Sequence, residues 1–160
     1  MDERLYLKKT NLSETILIVD DSEINRAVLA NIFSSSYQIE EAENGKVALE
    51  KLITHNEEIC AILLDIVMPV MDGMEVLEKL DALGWMDKIP VFLITAEAAG
   101  DTLQKAYSIG VMDVIAKPVV PYIVQRRIGS VIELFRARKR LSCMVEEQRT
   151  EISEQAKQIL

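Results

Sequence analysis

Short apolar runs alternate with amphipathic segments along the first three quarters of this 160-residue chain. Five runs have the composition of strands, at residues 16–19, 37–42, 60–64, 90–95 and 112–116. The segments between them, at residues 23–33, 46–53, 74–83 and 100–108, place apolar side chains at helical spacing. Three of the strands are unbroken apolar runs, as expected when both faces of a strand are covered. The alternation predicts an α/β fold, in which a parallel sheet carries helices on both faces.

From Pro121 onward the pattern changes to that of one long helix. The stretch to Leu160 contains one tolerable glycine, Gly129, and no other helix breaker, which predicts a helix about 60 Å long. Its apolar residues follow an imperfect heptad, which predicts a coiled coil with a partner along the apolar seam. The a series is Val124, Val131, Arg138, Val145, Ile152 and Ile159, and the d series is Arg127, Leu134, Leu141, Gln148 and Gln155.

Charge and cysteine content narrow the classes of function. The net charge of −8 argues against a nucleic-acid partner. Residues 1–120 carry −11 and residues 121–160 carry +3, so the C-terminal quarter is a different kind of segment. Cys60 and Cys143 make neither a disulfide framework nor a metal site. No apolar run approaches the length of a membrane span, about 18 residues, and the acidic first residues do not predict a signal peptide. We therefore expect a cytoplasmic chain that binds neither membranes nor nucleic acids.

Polar side chains follow four of the predicted strands, at the point where each strand ends. Asp20 and Asp21 follow the first strand, Asp65 the third and Lys117 the fifth, and Thr95 ends the fourth. Because the carboxyl ends of parallel strands meet at one edge of a sheet, we expect these side chains to converge. Three converging carboxylates require a hard cation, and Mg²⁺ suits all-oxygen ligation. Beside such an ion, Asp65 is a candidate nucleophile for a phosphoryl group, with Lys117 as the opposing cation.

Four motifs stand in the order "LIVDDSEINR", "ILLDIVMPVMDG", "LITA" and "DVIAKP". In this order and spacing they resemble the receiver domain of two-component response regulators, over about residues 14–122. The resemblance implies a flavodoxin-like five-stranded sheet of strand order 2-1-3-4-5. It implies that Asp65 is the phosphoacceptor. The implied Mg²⁺ ligands are Asp20, Asp21, Asp65 and the backbone carbonyl of Val67.

The same resemblance implies roles for residues after the last two strands. Thr95, Ala96 and Lys117 are the implied positions for binding the phosphoryl group and for the switch. The implied donor is a phosphohistidine on a sensor histidine kinase or a phosphotransfer protein. Two positions depart from the family pattern, because Val114 stands where an aromatic residue is usual and Val119 where a phenylalanine is usual. The usual aromatic residue turns inward when the threonine moves, so Val114 favours a different readout, through the C-terminal helix.

That helix resembles the extension of receivers attached to cyclic-dinucleotide enzymes or similar outputs. The predicted division is a tail at residues 1–13, a receiver at 14–122 and an extended helix or coiled coil at 123–160. We expect a homodimer through residues 123–160, leading to an output domain outside this chain. The predicted function is a phosphorylation-dependent switch that gains and loses a phosphoryl group on Asp65. It is not predicted to be an enzyme that acts on other substrates.

Two other functions fit parts of the pattern. A Mg²⁺-dependent phosphohydrolase would use Asp65 as its nucleophile. Such enzymes typically carry a second aspartate two residues later, where this chain has Val67. A constitutive coiled-coil scaffold with a vestigial receiver would need none of the acids, and the complete acidic set argues against it.

Overall fold

A computed structural model describes residues 14–96 and 99–159, in which strands and helices alternate. The strands are β1 (Thr15–Val19), β2 (Gln38–Ala42), β3 (Ile59–Leu64), β4 (Val91–Thr95) and β5 (Asp113–Ala116). The helices are α1 (Glu23–Phe33), α2 (Gly45–His55), α3 (Gly73–Ala82), α4 (Gly100–Ile109) and α5 (Pro121–Ile159). Each predicted strand and helix is present, with bounds that agree to within about two residues. The predicted tail at residues 1–13 lies outside the described residues.

The strands form one parallel sheet in the order β2-β1-β3-β4-β5. This order, with helices around the sheet and a long C-terminal helix, confirms the predicted flavodoxin-like α/β fold. Val19 at the end of β1 is level with Ala42 of β2 and Leu64 of β3. Thr95 at the end of β4 is level with Ala116 of β5. The polar residues that follow these strands therefore lie along one edge of the sheet.

Side chains alternate between the two faces of the sheet, and each face has its own hydrophobic core. The core beneath α2, α3 and α4 includes Leu17, Val19, Ile62, Leu64 and Leu93. The core beneath α1 and α5 includes Ile16, Ile18, Leu63, Phe92 and Ile94. Because both faces of β1, β3 and β4 are covered, these strands have unbroken apolar sequences.

Three helices begin at polar side chains that cap the first turn. Ser22, Asn44 and Asp72 precede α1, α2 and α3, and each accepts a hydrogen bond from the backbone N–H three residues along the chain. A cap of this kind contributes about 1 kcal/mol to stability. Asp72 therefore has a structural role at the start of α3.

Helix α5 has two parts with different surroundings. Residues 121–136, here called the docked half, pack on the sheet through Val124, Ile128 and Ile132, which are at most 2% exposed. Residues 137–159, here called the free half, are exposed at every position. In the part of the chain that the structure describes, α5 included, no helix has both the length and the apolar character of a membrane span.

Polar contacts also join the docked half to three other parts of the chain. They join Gln125 to the Ile32 carbonyl of α1 (3.0 Å), Arg127 to Asp113 of β5 (2.6 Å), and Arg136 to Glu14 just before β1. The docked half is therefore an integral part of the packed unit.

The burial of Val124 differs from its assignment as the first residue of an intermolecular seam. An ideal α-helix drifts by about 20° per heptad relative to a strict seven-residue repeat. Over the length of α5 the a positions therefore turn from the face that packs on the sheet to a face that is open to solvent. Val124 lies on the first face, whereas Val145, Ile152 and Ile159 lie on the second.

Candidate functional site

Three carboxylates converge at the carboxyl edge of the sheet. Asp20 follows β1 and Asp65 follows the neighbouring β3, and one oxygen from each of Asp20, Asp21 and Asp65 lies within 4.8 Å of the others. Asp20 and Asp65 are only 2% and 8% exposed, whereas Asp21 faces solvent. Asp20 Oδ1 accepts a hydrogen bond of 2.9 Å from the Ser22 N–H, which orients that carboxylate. The structure thus brings the three predicted acids together.

Lys117 supplies a positive charge against the two buried acids. Its Nζ lies 2.7 Å from Asp20 Oδ2 and 3.0 Å from Asp65 Oδ2. Its backbone N–H donates to the Thr95 carbonyl at 3.0 Å, which places the lysine at the end of β5. Burial by itself would lower the pKa of Lys117, but the hydrogen bonds and charges of Asp20 and Asp65 outweigh it and raise that pKa. The ammonium group therefore stays charged at neutral pH.

The donors at this edge fit a magnesium ion. They are carboxylate oxygens, the ligands that Mg²⁺ prefers, and the exposed Asp21 leaves one side open for the waters that this ion retains. Three ionised carboxylates and the Lys117 ammonium leave two negative charges, which a divalent cation would balance. The Val67 carbonyl belongs to the loop after β3, and its part in ligation stays a prediction.

Comparison with known proteins decides the family. The sequence profile of the response regulator receiver domain matches residues 16–128. The chain belongs to the response regulator receiver family. The two-component response regulator ORR11 of Oryza sativa is 35% identical over 118 residues, which are 73% of this chain and 80% of that protein.

Two further matches extend this comparison. The solved CheX–CheY–BeF3–Mg²⁺ complex from Borrelia burgdorferi is similar with a TM-score of 0.71 and 30% identity, over 78% of this chain and 92% of that one. A probable cyclic di-GMP phosphodiesterase of Vibrio cholerae is 34% identical over 134 residues, which are 83% of this chain. These residues are only 30% of that relative's length.

The remaining predicted positions of the receiver lie near the same strand ends. Thr95 is the buried last residue of β4, and Ala96 after it is exposed. Val114 is half-buried in β5 and packs against the core beneath α2, α3 and α4. Val119 is also half-buried and packs against the opposite core, beneath α1 and α5. The roles of Thr95, Ala96 and Val114 in the switch stay predictions.

Two residues that support the receiver's acids were missed by sequence reasoning. Arg26 Nη1 donates to the Asp20 carbonyl at 2.7 Å, and its Nε donates to Glu41 Oε1 at 3.1 Å. Gly73, at the start of α3, approaches so closely that an added Cβ would lie 2.2 Å from the Asp65 carbonyl oxygen. The only sequence signal was the position of both residues inside the quoted receiver motifs. Neither motif says which atoms these residues contact.

Val70, in the loop between Asp65 and α3, has a left-handed backbone with φ at 69°. A β-branched residue is strained there, by about 1–2 kcal/mol. Replacing Val70 by asparagine is expected to raise the free energy of unfolding by about 1 kcal/mol, because asparagine tolerates this conformation. Little packing is lost, since the side chain is 76% exposed. Urea unfolding without Mg²⁺ measures the change. Val67→Asn, an exposed valine in the same loop without a positive φ, is the control, and an equal gain there would show that strain is not the cause.

Proposed function

We propose that this receiver accepts a phosphoryl group on Asp65 from a phosphohistidine of a sensor histidine kinase or phosphotransfer protein. The observation that carries the proposal is the contact of Lys117 Nζ with both Asp20 and Asp65, at 2.7 and 3.0 Å, beside a third carboxylate. The cluster offers a cation site, a nucleophile and an opposing ammonium group within a few ångströms. Phosphoryl transfer depends mainly on such positioning and charge neutralisation.

Asp65 performs the covalent step. One of its carboxylate oxygens forms a bond to phosphorus while the bond between phosphorus and the donor imidazole nitrogen breaks, and the electron pair leaves with the ring. Asp20, Asp21, Asp65 and the Val67 carbonyl would hold a Mg²⁺ ion, which would neutralise charge on the phosphoryl oxygens. The Asp65 backbone N–H donates to the Val19 carbonyl at 2.9 Å, which keeps the nucleophile at the strand end.

Lys117 and Thr95 bind the phosphoryl group after transfer. The Lys117 ammonium exchanges its Asp65 oxygen for a phosphoryl oxygen, and the Thr95 hydroxyl donates to another, with the small Ala96 beside it. The new contacts favour one of two pre-existing arrangements of the receiver. Val114 provides no aromatic ring that could turn inward. The change of arrangement is therefore transmitted through β5 to α5, which is joined to β5 by the Arg127–Asp113 pair.

The output of this switch is pairing of α5 in a homodimer. Phosphorylation changes the angle or register of the paired helices, and the homodimer uses the part of residues 123–160 that stays exposed. The relative named as a probable cyclic di-GMP phosphodiesterase supports a cyclic-dinucleotide enzyme as the output domain of a longer protein. We propose that the chain acts in the cytoplasm.

The chain acts as a phosphoacceptor and not as a phosphohydrolase. A phosphohydrolase needs a group beside its nucleophile that gives a proton to the leaving alcohol. The nearby Val67 side chain is aliphatic and 60% exposed. A scaffold with a vestigial receiver would have no use for two buried acids held by a lysine, because buried charges are costly to keep.

Labelling with acetyl phosphate and Mg²⁺ tests the proposed acceptor. We expect one phosphoryl group per chain in an intact mass spectrum, and none in Asp65→Asn. Asp72→Asn is the matched control, because asparagine caps α3 as well as aspartate does, so labelling is expected to persist. Labelling of Asp65→Asn at the wild-type level would contradict the assignment. Rapid turnover of phosphate esters would favour the phosphohydrolase, and no reaction at all would favour the scaffold.

A further inference from the structure

We propose that the pairing surface of α5 is a seam along residues 134–159, occupied by a second copy of this chain, and that Arg138 sets the affinity of this pairing. The inference rests on the proposed homodimer and names its surface and the residue that limits it. It excludes Val124, Ile128, Val131 and Ile132 from the interface, because these side chains already pack on the core of the same chain.

The seam consists of apolar side chains that nothing covers in the described part of the chain. Leu134, Leu141, Val145, Ile152 and Ile159 are between 46% and 85% exposed. They recur at steps of seven, four, seven and seven residues, which places them in one stripe, the first two at d positions and the last three at a positions. The stripe lies on a different face of α5 from Val124, Ile128 and Ile132.

A second copy of the chain is the occupant that fits this stripe. Heptad periodicity matches a partner helix with the same periodicity, and the partner copy supplies one. The seam is about 39 Å long at 1.5 Å per residue. Two helices in contact over that length bury an area near the lower end of specific interfaces, about 1,200 Å² in total. It spans between three and four heptads, close to the minimum for a coiled coil. Pairing is therefore marginal, and a charged layer strongly affects its strength.

Arg138 is the charged layer of the seam, whereas its polar layers Gln148 and Gln155 are neutral. It lies on the stripe between Leu134 and Leu141, so pairing would place a guanidinium between two apolar layers. A charged side chain at an a position lowers the stability of a coil. In the single chain the Arg138 guanidinium lies 5.2 Å from the ring centroid of Phe135, a half-buried residue of the docked half. Arg138 is thus stabilised in the unpaired helix and penalised in the paired one.

Arg138→Val tests the inference on the whole chain. We expect the dimer to become at least about tenfold tighter, because valine continues the apolar stripe. We also expect the dimer to respond less to beryllofluoride with Mg²⁺. Lys139→Val is the matched control. It removes the same charge and adds the same side chain, about 100° around the helix from Arg138. Its affinity is expected to equal that of the wild type, as measured by sedimentation with and without beryllofluoride.

The outcomes separate this inference from the proposed function. Equal affinities of Arg138→Val and Lys139→Val would overturn the role of Arg138. A monomer for every variant at all concentrations, with or without beryllofluoride, would overturn the seam. Acetyl phosphate labelling of the same samples reports on Asp65 independently. If labelling persists, neither of these two results contradicts the assignment of Asp65 as the phosphoacceptor. Loss of labelling from the wild type would instead remove the proposed function.

Discussion

Replacing Gly73 by alanine is expected to destabilise the receiver by about 3 kcal/mol, the upper end of overpacking costs, and to weaken phosphorylation of Asp65. The new Cβ would lie 2.2 Å from the Asp65 carbonyl oxygen and 2.8 Å from the Ile66 Cα. Both are backbone atoms, so they cannot rotate away as the end of a side chain does. Either the start of α3 or the chain after β3 must move. Such a movement also strains the 2.8 Å hydrogen bond from the Gly73 N–H to the Ile66 carbonyl, which holds the two together.

Urea unfolding measures the change in stability, and acetyl phosphate labelling of the folded fraction measures the change at Asp65. Gly129→Ala, in the docked half of α5, is the matched control, because an added Cβ there meets nothing within 4 Å. Alanine in a helix interior is expected to raise the free energy of unfolding by about 0.5–1 kcal/mol. The two substitutions should therefore change stability in opposite directions. A loss below about 0.5 kcal/mol in Gly73→Ala would mean that the close approach is easily relieved.

The fold and the centre of the site could be predicted because both follow from local pattern. The unbroken apolar runs of β1, β3 and β4 reflect strands that are covered on both faces. A polar residue directly after such a run must lie at the carboxyl edge of a parallel sheet. Asp20 and Asp65 are therefore predicted to converge, and Lys117 joins them because β5 ends at the same edge. Position along the chain was enough to predict this site, because the residue that follows a strand lies where that strand ends.

The supporting contacts could not be predicted because they depend on distances between elements. Asp72-Gly73 has the sequence of an ordinary turn. Gly84, just after the end of α3, has a φ of 73°, and nothing lies within 4 Å of its added Cβ. Nothing local distinguishes a glycine required by packing from one required by its φ. Arg26 of α1 donates to the Asp20 carbonyl, and the charge of an arginine does not predict which carbonyl it contacts.

The heptad of α5 was ambiguous for a related reason. An apolar side chain at heptad spacing needs burial, but the sequence does not say whether its own sheet or another chain covers it. Val124 is covered by the sheet and Ile152 by nothing in the described chain. The bidentate pair of Arg127 with Asp113 belongs to the docked half, although Arg127 falls in the d series. Asp113 begins β5 and Lys117 follows its end, so one short strand joins the site to α5.

Ile128→Ala and Leu141→Ala remove similar side chains from the two halves of α5 and are expected to affect different properties. Ile128 is fully buried between α5 and the sheet. Its truncation is expected to cost about 2–5 kcal/mol in the free energy of unfolding. Leu141 is 61% exposed in the single chain. Its truncation is expected to change that free energy by less than about 0.5 kcal/mol.

For dimer affinity we expect the opposite ranking, with Leu141→Ala having the larger effect and Ile128→Ala the smaller one. Leu141→Ala removes an apolar layer of the proposed seam from both copies and is expected to weaken the dimer by about tenfold or more. Ile128→Ala leaves every residue of the seam in place. Urea unfolding at low protein concentration measures the first property, and sedimentation of the folded protein with beryllofluoride measures the second. Equal unfolding costs for the two variants would mean that α5 acts as one unit. Unequal costs would place the boundary between receiver and signalling helix near Arg136. Among the described residues, the Arg136–Glu14 pair is the last polar contact between α5 and the rest of the chain.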